Sequence, residues 1–213
     1  MMPDLGVQFI NPLAGSHPVS SDPREVAASA AAGERSWREF PYYEARFGER
    51  GRRFGHSDSA WLSLASRHGA EHLRREVLWL GEVLSARGMP QWMLERHLEF
   101  LHDALVEAVP ERRVAYEKLL SAAKMLRERR LWKLGEDDFR ALAAAFAARV
   151  GPEWSARLPH MGGLLAAAVA DERNGVTRAV ASLEEWAADP ARFPPHWIDA
   201  VHDMIARARE RAR

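Results

Sequence analysis

Leu73, Val77, Leu80 and Leu84 stand three or four residues apart in a polar background. That spacing follows the 3.6-residue turn, so these side chains can be buried together only along one stripe of an α-helix. The pattern returns at Leu94, Leu98, Leu101, Leu105 and Ala108, and again at Trp197, Val201, Met204 and Ala208. No segment alternates apolar and polar residues as a half-buried strand does. The spacing therefore predicts an all-α, bundle-like fold.

Glycine and proline punctuate the helical stretches. "SDSAWLSLA" offers Ser57 or Asp58 as an N-cap, and the next helix runs toward Gly88. Pro90 and Pro110 suit the first turns of two further helices, the second ending near Gly135. "EDDFRALAAAFAARV" has acids where the helix dipole favours them, and 161–189 reads as two pieces hinged near Asn174-Gly175. Residues 1–34 are expected to be an irregular N-terminal arm, because "INPLAGSHPVSSDP" concentrates the turn formers Pro, Gly, Ser and Asn, with "VQFI" (7–10) as a short extended piece. The aromatic stretch "WREFPYYEARF" reads as a segment wrapped against the helices.

Residues 62–84 align without gaps on 165–187, and 99–105 on 199–205. This echo implies two related tandem units, and the expected division is 35–134 and 135–213.

Lys and Arg total 30, as do Asp and Glu, so no global field selects nucleic acid or an anionic membrane. There is no cysteine, which excludes disulfides, thiolate metal sites and cysteine nucleophiles. No apolar run reaches the ~18 residues of a membrane span. The first residues carry Asp4 and lack the basic region and long apolar core of a secretory signal, so a cytoplasmic location is expected. G-x-S-x-G, phosphate-loop and dinucleotide fingerprints are missing, and "PHMGGL" (159–164) is too loose to be one.

Two motifs carry metal-binding residue types. "RHGAEH" contains His68-x-x-Glu71-His72, the spacing of inverted zinc metalloproteases. On the helix holding Leu73 and Val77, however, His68 and Glu71 point about 150° from the apolar stripe and His72 about 110°. They face outward, and the strand-containing domain of those proteases has no counterpart here. The second motif is Glu99-x-x-His102 echoed by Asp199-x-x-His202. Such pairs resemble those of ferritin-like di-metal carboxylate bundles, with Glu82 and Glu185 as the remaining ligands. There too, His102 lies about 80° and Glu99 about 140° from the stripe's centre.

Trp61 is followed after nine residues by Glu71-His72. This W-x9-E-H resembles the motif in the helical cap of cobalamin-dependent, light-sensing MerR-type regulators. "ARGMPQWMLERHLEFLHDAL" and "RRLWKLGEDDF" are similar to helix junctions of that cap, although in the family the motif falls at the later turn, where Trp132 is followed by Leu142-Ala143 instead. The resemblance implies a corrinoid or other tetrapyrrole held by Trp61, His68, Glu71 and His72. The family's D-x-H-x-x-G loop, α/β half and DNA-binding winged helix have no counterpart here. Heme is a variant, with His68, His72, His97 or His102 as axial ligand.

The sequence thus reads as a non-enzymatic regulatory or sensory binding module. Its alternatives are a di-metal enzyme and a cofactor-free scaffold that binds a protein partner or itself.

Overall fold

The computed structural model describes residues 19–213, and among them nine α-helices and no strand are found. They are α1 (Pro23–Glu39), α2 (Tyr42–Ala65), α3 (Ala70–Ser85), α4 (Gln91–Ala108), α5 (Arg113–Lys133), α6 (Glu136–Arg157), α7 (Met161–Arg173), α8 (Ala179–Ala187) and α9 (Pro195–Arg211). The all-α expectation holds. None of these helices is long and apolar enough to cross a membrane.

Three expectations need correction. Part of the supposed irregular arm, residues 23–34, is helical: Asp22 caps α1 by accepting from Arg24 N at 3.0 Å, and Pro23 occupies its first turn. Small residues of α1 let it approach α2 closely. A Cβ on Gly33 would lie 2.9 Å from His56 Cδ2. "VQFI" lies outside the described residues. Second, no helix starts at Ser57 or Asp58. α2 runs through them, bending at Gly48 (φ 52°), and Ser57 Oγ bonds back to Arg53 O at 3.2 Å. Third, the gap-free echo breaks at the turns. Residues 66–69, between α2 and α3, align on 169–172, which lie inside α7.

The chain divides into two compact units, but not at residue 135. One comprises the described residues up to Leu78 with Glu95–Lys124; the other comprises Trp79–Leu94 with Met125–Arg213. The divisions fall inside α3, α4 and α5. A reading that seeks boundaries at Gly and Pro breaks could not place them there.

In the first unit, α1 is anchored by Glu25, whose side chain is fully buried. The carboxylate accepts from Arg112 at 2.8 Å and Tyr116 Oη at 2.5 Å, and also from Arg67. Burial alone would raise its pKa, but hydrogen bonds from Ser20, Tyr116, Arg112 and Arg67 outweigh that and hold it lowered. A buried charge persists only with such partners.

In the second unit, α7 is apolar all round ("MGGLLAAAVA") and is buried on every face. Gly162 and Gly163 bring it close to its neighbours. A Cβ on Gly162 would sit 3.0 Å from Ala143 Cα of α6, and one on Gly163 2.7 Å from a Trp92 ring carbon. α6 bends at Gly151 (φ 83°), followed by Pro152, where the chain must take a conformation that favours glycine. Trp197 of α9 closes this core: it stacks on Phe193 at 5.0 Å, meets Phe146 and Trp154, and donates from Nε1 to Ala187 O at 2.9 Å.

Candidate functional site

The turn between α2 and α3 holds the residues that the W-x9-E-H and H-x-x-E-H motifs single out. α2 ends at Ala65, and its terminal carbonyls are met by a cation. Lys118 of α5 donates from Nζ to Ser66 O at 2.9 Å and to His68 O at 2.6 Å. Gly69 then starts α3, with Leu73 N bonded to Gly69 O at 3.1 Å. The backbone carrying His68 is therefore fixed from both sides.

Leu73 and Val77 are buried, while His68 and Glu71 are exposed and His72 is 42% exposed. Glu71 and His72 face outward as the rotation of α3 predicts, and His68 is exposed in the turn before it. The imidazoles of His68 and His72 come together edge to face, with centroids 5.1 Å apart and planes 70° apart. His72 Nδ1 is turned toward Glu76 at 3.9 Å, and Glu71 toward Arg75 at 3.9 Å. Trp61, half-buried, lies four residues before the end of α2. A chelating or ligating role is open to the two imidazoles, and Glu71 is committed toward Arg75.

The six di-metal candidates do not converge. Glu99 pairs with Arg96, His102 with Asp103 at 3.1 Å, and Glu185 with Arg178 at 3.2 Å. His202 faces Glu184 at 3.7 Å, while Glu82 and Asp199 are exposed. Among the described residues, no three or more His, Asp or Glu side chains are grouped to hold a metal ion. Leucine burial fixes each helix's rotation, which leaves Glu82, Glu185, Asp199 and His202 exposed and Glu99 and His102 half-buried at the edge of their stripe.

His97 needs a different correction. As an axial-ligand candidate it fails, since both ring nitrogens are already engaged in the interior of the first unit. Nδ1 is 2.8 Å from Ser36 Oγ of α1 and Nε2 is 2.9 Å from Ser59 Oγ of α2. Each serine also reaches the carbonyl four residues back, Ser36 to Ala32 at 3.2 Å and Ser59 to Gly55 at 2.7 Å. A neutral imidazole has one N–H and one lone pair, so one serine must donate to it and release its carbonyl. Ser59 has the shorter carbonyl bond to keep. This assigns the Nε2–H tautomer: Ser36 donates to Nδ1, and Nε2–H donates to Ser59. Burial, with a smaller contribution from His56, pushes the imidazole down to about 4. A signal for this lies in the sequence, since His97 stands only about 60° from the centre of the Leu94–Leu98–Leu101 stripe.

Asp171 escapes sequence reasoning altogether. It ends the apolar run of α7 and is buried, accepting from Ser85 Oγ at 2.7 Å and from Gln91 N at 2.8 Å. It thus caps the N-terminus of α4 from another helix. Burial pushes its carboxyl up to about 7, against the pull of those bonds and of Arg129 and Arg130. Nothing in "VADERNG" marks this aspartate as interior. At the start of α4, Met93 is buried and Trp92 meets Phe139 at 5.1 Å, so both serve packing.

Compared with known proteins, the chain matches no family model, no curated protein and no solved structure.

Proposed function

We propose that the chain is a non-enzymatic helical binding module whose ligand-facing feature is the α2–α3 corner, with Trp61, His68, Glu71 and His72. The ligand class that suits it is a metal-bearing macrocycle, a corrinoid or other tetrapyrrole, taken by one exposed imidazole. The observation that carries this reading is the placement of His72. Its ring is 42% exposed, with Nδ1 on the side of Glu76 3.9 Å away, so an imidazole nitrogen stands at the surface with a carboxylate near it. Lys118 fixes the backbone of the corner, so binding would not have to order it. The macrocycle's metal would supply any light or redox response; the chain's residues bind and orient it.

The test is a visible titration of the full chain with hydroxocobalamin and, separately, hemin. Imidazole ligation shifts the long-wavelength bands, and His72→Ala should remove the shift. Spectra that remain the sum of protein and free macrocycle for both compounds would overturn the proposal.

A further inference from the structure

The buried acid that anchors α1 marks a second site in the first unit. We infer that Arg67, Arg112 and Tyr116 form a carboxylate-binding recess, which Glu25 of α1 fills in cis. The recess uses none of the four residues assigned at the α2–α3 corner and stands independently of that reading.

Its donors divide the two carboxylate oxygens between them. Oε1 of Glu25 accepts from Arg112 Nη1 at 2.8 Å and from Tyr116 Oη at 2.5 Å, while Oε2 accepts from Arg67 Nη2. Two guanidinium groups and a phenol thus give charge-assisted bonds to one carboxylate from both of its sides. All of these residues belong to the first unit.

The donors are positioned without help from α1, which is what makes the recess a site in its own right. Arg112 closes the short turn Pro110–Arg112 that leads into α5, and Tyr116 follows four residues later, so both stand on one face. Arg67 lies in the turn after α2. Lys118 of α5 holds the carbonyls on either side of it, Ser66 O at 2.9 Å and His68 O at 2.6 Å. The start of α5 therefore carries two donors and fixes the backbone of the third. Tyr116 is buried, but the side chains of Arg67 and Arg112 are 31% and 37% exposed, so both guanidinium groups also reach solvent.

α1 meets this recess with its acidic end. Asp22 Oδ2 accepts from Arg112 Nη1 at 2.9 Å, and Ser20 Oγ accepts from Arg67 Nη2 at 3.0 Å. The first turn of α1 is thus a built-in competitor for any free carboxylate, which enters when that turn lifts or when the Glu25 carboxylate is removed. A planar pair of oxygens matches the fork of a guanidinium, and a halide does not.

The experiment removes the resident carboxylate. Glu25→Ala keeps Cβ and loses a CH2–COO− fragment, which acetate replaces. Thermal unfolding of the full chain is followed at neutral pH in sodium acetate and in sodium chloride of equal concentration. For a dissociation constant of about 10 mM, roughly 0.3 M acetate should raise the variant's midpoint about 4–8 °C above its value in chloride. Wild type, whose recess is filled, should respond equally to both salts. Arg112→Gln or Tyr116→Phe added to Glu25→Ala should remove most of the gain. Glu34→Ala, which deletes a carboxylate from the other half of α1, should show none. If Glu25→Ala does not fold in chloride, refolded yield replaces the midpoint, and recovery in acetate is expected. An equal response of Glu25→Ala to the two salts overturns the inference, as does a gain that survives loss of the Arg112 and Tyr116 donors or one shared by Glu34→Ala.

Discussion

Replacing Asp171 with asparagine tests the reading of a buried acid at the start of α4. In the folded chain burial holds this carboxyl's titration near 7, whereas its ordinary value is 3.8. Between those two pH values the folded state keeps a proton that the unfolded state has released. The stability contributed by this group is therefore full below about pH 4 and is lost as pH rises through about 7. At 1.36 kcal/mol per pH unit of separation, the loss amounts to about 4 kcal/mol. The amide of the Asp171→Asn variant cannot titrate and keeps one carbonyl oxygen for Gln91 N and Ser85 Oγ. The variant should thus lack this falling component and should equal or exceed wild type at pH 8, while wild type gains relative to it at pH 4.5. Urea unfolding at several pH values measures this, followed by tryptophan fluorescence. Six of the eight tryptophans, including Trp92 and Trp197, lie in the same unit as Asp171. Parallel stability–pH profiles for the two proteins would refute the reasoning, because they would mean Asp171 is ionised throughout.

His97→Gln should change the pH profile in the opposite sense. The imidazole's folded value of about 4 lies below its ordinary 6.5, so its contribution is present above about 6.5 and about 3 kcal/mol is lost as pH falls toward 4. Removing it should reduce acid sensitivity in urea unfolding between pH 7 and 4, and an unchanged acid limb would contradict the neutral, two-serine assignment. Gly162→Ala should lower the thermal midpoint by several degrees. Its new methyl would meet Ala143 Cα at 3.0 Å and Ala143 O at 3.1 Å, backbone atoms that cannot turn aside, and overpacking of about 1–3 kcal/mol exceeds the ~1 kcal/mol helix gain. A rise in midpoint on calorimetry would show that α6 and α7 can separate at little cost.

Periodicity alone determined the helical class and most helix positions from Gly88 onward. Leucines and valines three and four apart leave a chain no other way to hide them, and Pro, Gly and acidic first turns mark the ends. It also fixed the outward facing of Glu71 and His72, since rotation of α3 follows from burying Leu73 and Val77, whereas His68 stands in the turn before α3. Local pattern could not report what depends on a neighbour. α1 was hidden by the turn-forming residues that precede it, although Asp22, Pro23 and the alanines after them are local helix signals; only its packing on α2 depended on tertiary structure. His97 and Asp171 become buried partners only when Ser36, Ser59, Ser85 and the start of α4 arrive from elsewhere in the chain. The 5.1 Å meeting of the two imidazoles likewise depends on how Lys118 and Gly69 set the turn before α3. Burial of an apolar stripe is written into spacing along one helix, whereas a polar contact needs two separately placed backbones, and tertiary packing alone decides where the second one stands.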